Sequence, residues 1–181
     1  MNQLKEKYLA EIRPALQKEL GLSSIEAVPK LLKITVNSSS KDFKTDKELL
    51  AKTKDWMSKI TGQTPLETKS RSSIAAFNLR EGEIVGLKVT LRGDRMYDFL
   101  EKLISIVLPR LKDFQGISQK TFDQKGNYSI GFPEQIVFPE VEYDKIGRIQ
   151  GLEVTISSSA KDSKTALMFL KILGMPFTKE A

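Results

Sequence analysis

Three stretches of the chain alternate apolar side chains with polar or charged ones. They read Leu-Lys-Ile-Thr-Val-Asn at 32–37, Leu-Lys-Val-Thr-Leu-Arg at 87–92 and Leu-Glu-Val-Thr-Ile-Ser at 152–157. Because successive strand side chains point to opposite faces, each stretch predicts a strand with one apolar and one polar face. The polar faces would display Lys33, Thr35, Asn37, Lys88, Thr90, Arg92, Thr155 and Ser157. Cations can pair with phosphates and hydroxyls can contact ribose, so this surface would suit RNA.

The same pattern has a simpler interpretation. Threonine and lysine are ordinary residues on a solvated sheet face, and many antiparallel sheets leave one face in water. The three stretches also lack the aromatic pair on which the common RNA-recognition sheet stacks bases. If the surface binds RNA, we therefore expect recognition through the RNA backbone and its shape. Both interpretations stay open on the pattern alone.

Composition makes catalytic chemistry a weaker hypothesis. The chain has 181 residues, a net charge of +6, and neither histidine nor cysteine. The usual zinc ligands and the commonest general base are therefore missing, and no cofactor or metal is expected. Four carboxylates in one irregular stretch could in principle hold Mg²⁺, but their spacing matches no known site. They are Glu134, Glu140, Glu142 and Asp144. Four nearby aromatic residues predict a small satellite core rather than a ligand cage: Phe122, Tyr128, Phe132 and Phe138.

Helices must position these strands. Apolar spacing and stop signals predict an N-terminal helix at 1–20 with an irregular middle at Pro14, and a helix from a Thr45 capping box to Gly62. They also predict a helix capped by Asp94 that runs to 108, and a last helix at about 162–173. A short edge strand is predicted at 63–68, and an irregular segment with a hairpin at about 110–148.

These elements predict an α+β fold. Helices would cover one face of an antiparallel or mixed sheet and leave the polar face open. We expect a single domain over residues 1–181. No run of about 18 apolar residues predicts a membrane span, and the N-terminus lacks the apolar core of a signal peptide, so a cytoplasmic location is expected.

The segment 69–83 has no clear periodicity. It is long for a loop in a compact domain, and such loops are usually functional or disordered. Lys69, Arg71 and Arg80 flank a group of small and apolar residues at 74–79. The alternative is that Ile74 and Phe77 fold back onto the domain as a small cluster.

Taken together, stretches along nearly the whole chain resemble one family, the large-subunit ribosomal proteins of the universal L-five family, in its bacterial form. The matching stretches are 28–29, 33–37, 58–65, 68–77, 86–96, 109–116, 122–131 and 134–140. The chain departs from the family at 38–43, where a glycine-containing turn is usual, and at Phe132-Pro133.

The resemblance implies a structural role in the central protuberance of the ribosome. It implies that the sheet surface binds 5S rRNA, and it singles out Asn37, Gln63, Thr90 and Arg92. Together with the strand pattern, the predicted rRNA ligands are Lys33, Thr35, Asn37, Gln63, Lys88, Thr90 and Arg92. It implies that the long loop contacts peptidyl-site tRNA through Lys69, Arg71, Ser72, Ile74, Ala75, Phe77 and Arg80. The other implied partners are 23S rRNA and a small-subunit head protein of the S-thirteen family, with which it would form an intersubunit bridge. A free RNA-binding module or chaperone, outside the ribosome, is the alternative.

Overall fold

The computed structural model describes residues 3–112, 114–143 and 146–178. Within them five strands form one sheet, in the order β2-β3-β1-β5-β4. The strands are β1 (Leu31–Ser39), β2 (Leu66–Lys69), β3 (Ile84–Leu91), β4 (Tyr128–Phe132) and β5 (Leu152–Ser158). The sheet is antiparallel and the fold is α+β, as the sequence predicts. The predicted short strand before the long loop is β2, and it lies at the edge.

The helices of the described residues are α1 (Gln3–Lys7), α2 (Arg13–Glu19), α3 (Lys47–Thr61), α4 (Asp94–Lys102) and α5 (Ser163–Ile172). A π-helical turn joins α1 to α2 directly before Pro14. Proline has no N–H to continue the helical ladder, so the predicted irregular middle is confirmed. A second π-helical turn and a 3₁₀ turn extend α4 to Arg110, close to the predicted end.

Two predicted helix caps are wrong by one residue. Asp46 rather than Thr45 caps α3, because its carboxylate accepts from the Leu49 N–H at 2.9 Å. Gly93 rather than Asp94 occupies the N-cap of α4, with a φ of 60° that favours glycine. The Asp94 carboxylate instead accepts a 2.6 Å hydrogen bond from Lys5, which holds the pKa of Asp94 below its ordinary value.

Strand alternation gives the sheet its buried face. Leu87, Val89 and Leu91 of β3 are buried, and so are Leu152, Val154 and Ile156 of β5. Two residues do not follow the predicted pattern. Leu32 is 43% exposed while its neighbour Leu31 is buried, and Ser157, predicted on the open face, is only 9% exposed.

The chain divides into two compact units, whose boundaries fall within β1, β3, β4 and β5. The first comprises Met1–Ile34, Leu91–Ile130 and Thr155–Ala181, and the second comprises Thr35–Thr90 and Gly131–Val154. In the first unit, Tyr8 packs against the rings of Tyr97 and Phe169, with centroids 6.3 and 6.1 Å away. In the second unit, Thr53 of α3 donates a 2.7 Å hydrogen bond to Gln150. A single domain over the whole chain stays a prediction.

The segment between α4 and β5 contains little regular structure, as expected. Asp123 holds a tight turn at 123–127 through hydrogen bonds from the backbone N–H groups of Lys125 and Asn127, and β4 follows directly. Further on, only the 3₁₀ turn Gln135–Val137 forms between the two prolines of this region.

Candidate nucleic-acid interface

Within the second unit, the polar face of the sheet carries four of the seven residues predicted to bind rRNA. Thr35, Asn37 and Thr90 are half-buried and Lys88 is exposed. Each lies between buried neighbours, which are apolar except for Ser38 after Asn37, since β1 and β3 alternate as predicted over these positions. The short side chains of Thr35, Asn37 and Thr90 therefore lie close to the sheet, and the longer Lys88 side chain extends beyond them.

The predicted rRNA ligand Gln63 lies outside the strands but close to these residues. It follows Gly62, whose left-handed backbone ends α3. Its side-chain amide donates to the Thr90 carbonyl at 3.5 Å, at the long limit of a hydrogen bond. The structure therefore brings Gln63 beside Thr90, although it lies 27 positions earlier in the chain.

The remaining two predicted rRNA ligands belong to the first unit. Lys33 is half-buried and Arg92 is exposed. The Arg92 guanidinium donates to the Leu32 carbonyl at 3.3 Å, which holds it beside the start of β1. One guanidinium nitrogen is used in this way, and the rest of its fork of donors stays available for an anion.

Helix α3 identifies which face of the sheet is open. Glu67 of β2 lies opposite Leu87 in the antiparallel register, and its carboxylate pairs with Lys54 of α3 at 3.1 Å. Leu66, the preceding residue, lies opposite Lys88 and is 70% exposed. Because opposite residues of paired strands share a face, Lys88 lies on the face away from α3.

Two features of this face escaped the sequence analysis. Leu66 adds an apolar side chain to its edge. Glu153 of β5 is exposed between buried Leu152 and Val154, so it lies on the polar face. Strand alternation alone predicts that Glu153 lies on the polar face, although it is not among the predicted rRNA ligands.

The long loop between β2 and β3 folds like a hairpin and is held together by hydrogen bonds. At its base, the Ser70 N–H donates to the Glu83 carbonyl and the Gly82 N–H donates to the Ser70 carbonyl. Near its tip, Ile74 and Leu79 form an isolated antiparallel bridge around a 3₁₀ turn. Asn78 ends that turn with a φ of 48°, a left-handed conformation that asparagine tolerates better than most residues.

The tip of this loop is exposed. Phe77 is 73% and Ile74 is 40% exposed, so the alternative in which they fold back onto the domain is wrong. The other predicted tRNA ligands are exposed as well, namely Lys69, Arg71, Ser72, Ala75 and Arg80. The loop therefore presents an apolar tip between cationic flanks.

A cleft of about 820 Å³ lies beside the loop, entirely within the second unit. Phe77 and Leu79 of the loop line it, together with Asn37, Ser40 and Lys44. Lys44 also donates a hydrogen bond to the Asn78 carbonyl. The cleft is therefore lined by one predicted rRNA ligand, Asn37, and by one predicted tRNA ligand, Phe77.

The sequence alternatives of a cation site and a ligand cage concern the carboxylates and aromatic residues of the irregular segment. Among the described residues no three potential metal-ligating side chains come together, and Asp144 lies outside the described residues. Phe122 and Tyr128 pack together at 4.6 Å, and Phe132 packs on Phe138 at 5.7 Å. Tyr128, Phe132 and Phe138 are buried and Phe122 is half-buried, so these aromatic residues pack in two small clusters, in agreement with the sequence interpretation.

No helix in the described parts of the chain has the length and apolar character that crossing a bilayer requires.

Comparison with protein families gives two matches that follow one another along the chain. Residues 24–80 match the model for ribosomal protein L5, and residues 84–177 match the model for the C-terminus of the same ribosomal protein family. The first match contains β1, β2 and most of the long loop, and the second contains β3, β4 and β5.

Proposed function

Since the chain belongs to the ribosomal protein L5 family, we propose that it attaches 5S rRNA to the large ribosomal subunit through the polar face of its sheet. Proteins of this family are structural constituents of the ribosome and are not enzymes. The chain is therefore a ribosomal, rRNA-binding protein of the large subunit.

One observation carries the 5S rRNA proposal: β3 buries Leu87, Val89 and Leu91 and places Lys88 and Thr90 on the opposite, polar face of the sheet. A-form RNA displays its 2′-hydroxyls and phosphates on a broad, shallow groove. The half-buried hydroxyls of Thr35 and Thr90 can contact ribose at short range, while Lys88 and Arg92 reach phosphates. Asn37 and Gln63 add amide donors and acceptors at the same surface.

Recovery of bound RNA tests this proposal. The tagged chain is expressed in a bacterial cell and isolated at moderate salt, and the associated RNA is sequenced. We expect 5S rRNA to be enriched, together with 23S rRNA from assembled particles. Enrichment of tRNA or mRNA without 5S rRNA would instead support a free RNA-binding module. Absence of any enriched RNA would contradict both.

For the long loop we propose contact with peptidyl-site tRNA. The supporting observation is the exposed apolar tip at Ile74 and Phe77 between the cations Arg71 and Arg80. Cations can meet tRNA phosphates while the tip packs on exposed ribose or bases. Replacement of residues 74–80 by a Gly/Ser linker should leave the melting temperature nearly unchanged, because no buried residue is removed. Reconstituted ribosomes with this variant should retain peptidyl-site tRNA less well, and unchanged retention would refute the assignment.

The remaining partners follow from the family resemblance. We propose that the chain also contacts 23S rRNA, and that the irregular segment 110–148 faces the small-subunit head and its S-thirteen-type protein. Its location is then the cytoplasmic ribosome. Crosslinking of intact ribosomes through cysteines placed at exposed positions such as Glu142 or Tyr143 would test the second contact.

A further inference from the structure

Glu153 is an acidic residue on a surface otherwise suited to an anion. Its side chain is exposed on the polar face of β5 and makes no hydrogen bond or ion pair with any residue that the structure describes. Ser38 of the neighbouring strand β1 donates a 2.8 Å hydrogen bond to the Gly151 carbonyl. That contact is one residue from Asn37 and two from Glu153, so these two polar side chains are close neighbours on the face.

The other side of Glu153 is open. Ser129 of β4 and Thr155 of β5 are 3.0 Å apart through their hydroxyls, which places them opposite each other. Because β4 and β5 are antiparallel, a step of two residues forward from Ser129 matches a step of two residues back from Thr155. Gly131 therefore lies opposite Glu153. A Cβ atom added to Gly131 would meet nothing within 4 Å. The carboxylate is thus bordered by an amide on one side and by a position without a side chain on the other.

This arrangement restricts what the carboxylate can contact in RNA. An ionised carboxylate only accepts hydrogen bonds and repels phosphates, so it weakens contact with any RNA backbone laid across it. Base edges with adjacent N–H groups offer it charge-assisted hydrogen bonds. The Watson–Crick edge of an unpaired guanine presents two such donors, and the amino group of cytosine presents one.

We propose that Glu153 is a specificity-determining residue that accepts hydrogen bonds from the amino-bearing edge of an unpaired guanine or cytosine in the bound rRNA. The proposal rests on the proposed function, because it concerns the surface assigned to 5S rRNA. Glu153 would add little affinity for RNA in general. It would select an RNA that extends such a base over the gap at Gly131.

The specificity ratio tests this role. Dissociation constants for a 5S rRNA transcript and for a mixed-sequence RNA duplex of similar length are measured at one salt concentration. Glu153→Gln keeps the size of the side chain but places a donor opposite one of the base's donors. We expect it to lower the preference for 5S rRNA by about 5- to 100-fold, while duplex binding stays equal or tightens. Glu48→Gln is the matched control, because Glu48 lies on α3 paired with Lys52 and the net charge changes equally.

A second variant blocks the site without changing charge. Gly131 has no positive φ and open space at its Cβ position, so Gly131→Val should fold, with melting temperature as the check. Its side chain would fill the gap beside Glu153, and we expect the 5S rRNA preference to fall as in Glu153→Gln.

Three results separate the possibilities. If the wild-type chain does not prefer 5S rRNA over the duplex, the proposed function itself fails. If the wild-type chain is selective and Glu153→Gln keeps its preference, the role of Glu153 is refuted. A proportional gain in affinity for both RNAs would also refute it, since Glu153 would then only repel phosphates.

Discussion

The cations of the polar face make a quantitative prediction about salt. Lys88 and Arg92 are both exposed, and each has donors available for a phosphate. Each phosphate neutralised by a cation contributes a slope of about −0.7 for single-stranded RNA and about −0.9 for a duplex to a plot of log affinity against log salt. The double variant Lys88→Gln/Arg92→Gln should therefore flatten the slope for 5S rRNA by about 1.4 to 1.8. Between about 50 and 200 mM KCl, this amounts to roughly 7- to 12-fold less loss of affinity.

Filter binding at three or more KCl concentrations measures the slope directly. The matched control is Lys52→Gln/Lys59→Gln, which removes the same charge from α3. Lys52 and Lys59 pair with Glu48 and Asp55 on that helix. We expect the control to change the slope by much less than one, because α3 lies on the opposite face of the sheet.

A folded Lys88→Gln/Arg92→Gln variant with the wild-type slope would refute the predicted phosphate contacts, because neither cation would then meet a phosphate. An equal flattening in the α3 control would show that net charge alone matters. Both substitutions leave the apolar core untouched, so the melting temperature of the variant should stay within a few degrees of wild type.

Four further predictions concern the fold. Gly116→Ala should destabilise the chain by about 1 to 3 kcal/mol, because the new Cβ atom would lie 2.7 Å from the Thr178 nitrogen. Gly131→Ala should be tolerated, because its Cβ atom would meet nothing within 4 Å. Urea unfolding of the two variants measures the difference. Asp46→Ala should cost about 1 kcal/mol through loss of the α3 cap, and Asp46→Asn should restore most of it. Burial raises the pKa of the Tyr97 hydroxyl from 10.0 to about 12. The stability that depends on the neutral hydroxyl should therefore be complete below pH 10.0 and be lost as the pH rises through about 12. Ultraviolet titration combined with thermal melts can follow this loss. Chelators should leave the melting temperature unchanged, and a fall of several degrees would show a structural metal.

The sequence by itself determined the faces of the strands. Side chains on a regular strand alternate between its two faces, so the pattern in β3 assigned Leu87 and Val89 to the core and Lys88 to the open face before any packing was known. The ends of α3 and α5 were predictable to within about one residue for the same local reason, since glycine and short polar side chains satisfy free backbone groups. Gly62 ends α3 as predicted, with a left-handed backbone.

The choice between neighbouring capping residues was not local. The sequence placed caps at Thr45 and Asp94, and the structure uses Asp46 and Gly93. In the second case Lys5, 89 residues away, takes the Asp94 carboxylate as its partner. Leu32 is exposed and Ser157 is buried, each the reverse of its prediction. Burial depends on which other elements pack against a position in the folded chain. No periodicity in the sequence encodes that packing.

Only the tertiary structure decided which polar residues became neighbours. Gln63 reaches Thr90, and Glu153 lies near Asn37, because folding brings distant parts of the chain to one level of the sheet. The loop was recognisable in the sequence as long and irregular, but its exposed Phe77 tip and the cleft beside it were not. Strand faces follow from geometry within one segment, whereas a binding surface needs the register between segments, which folding of the whole chain sets.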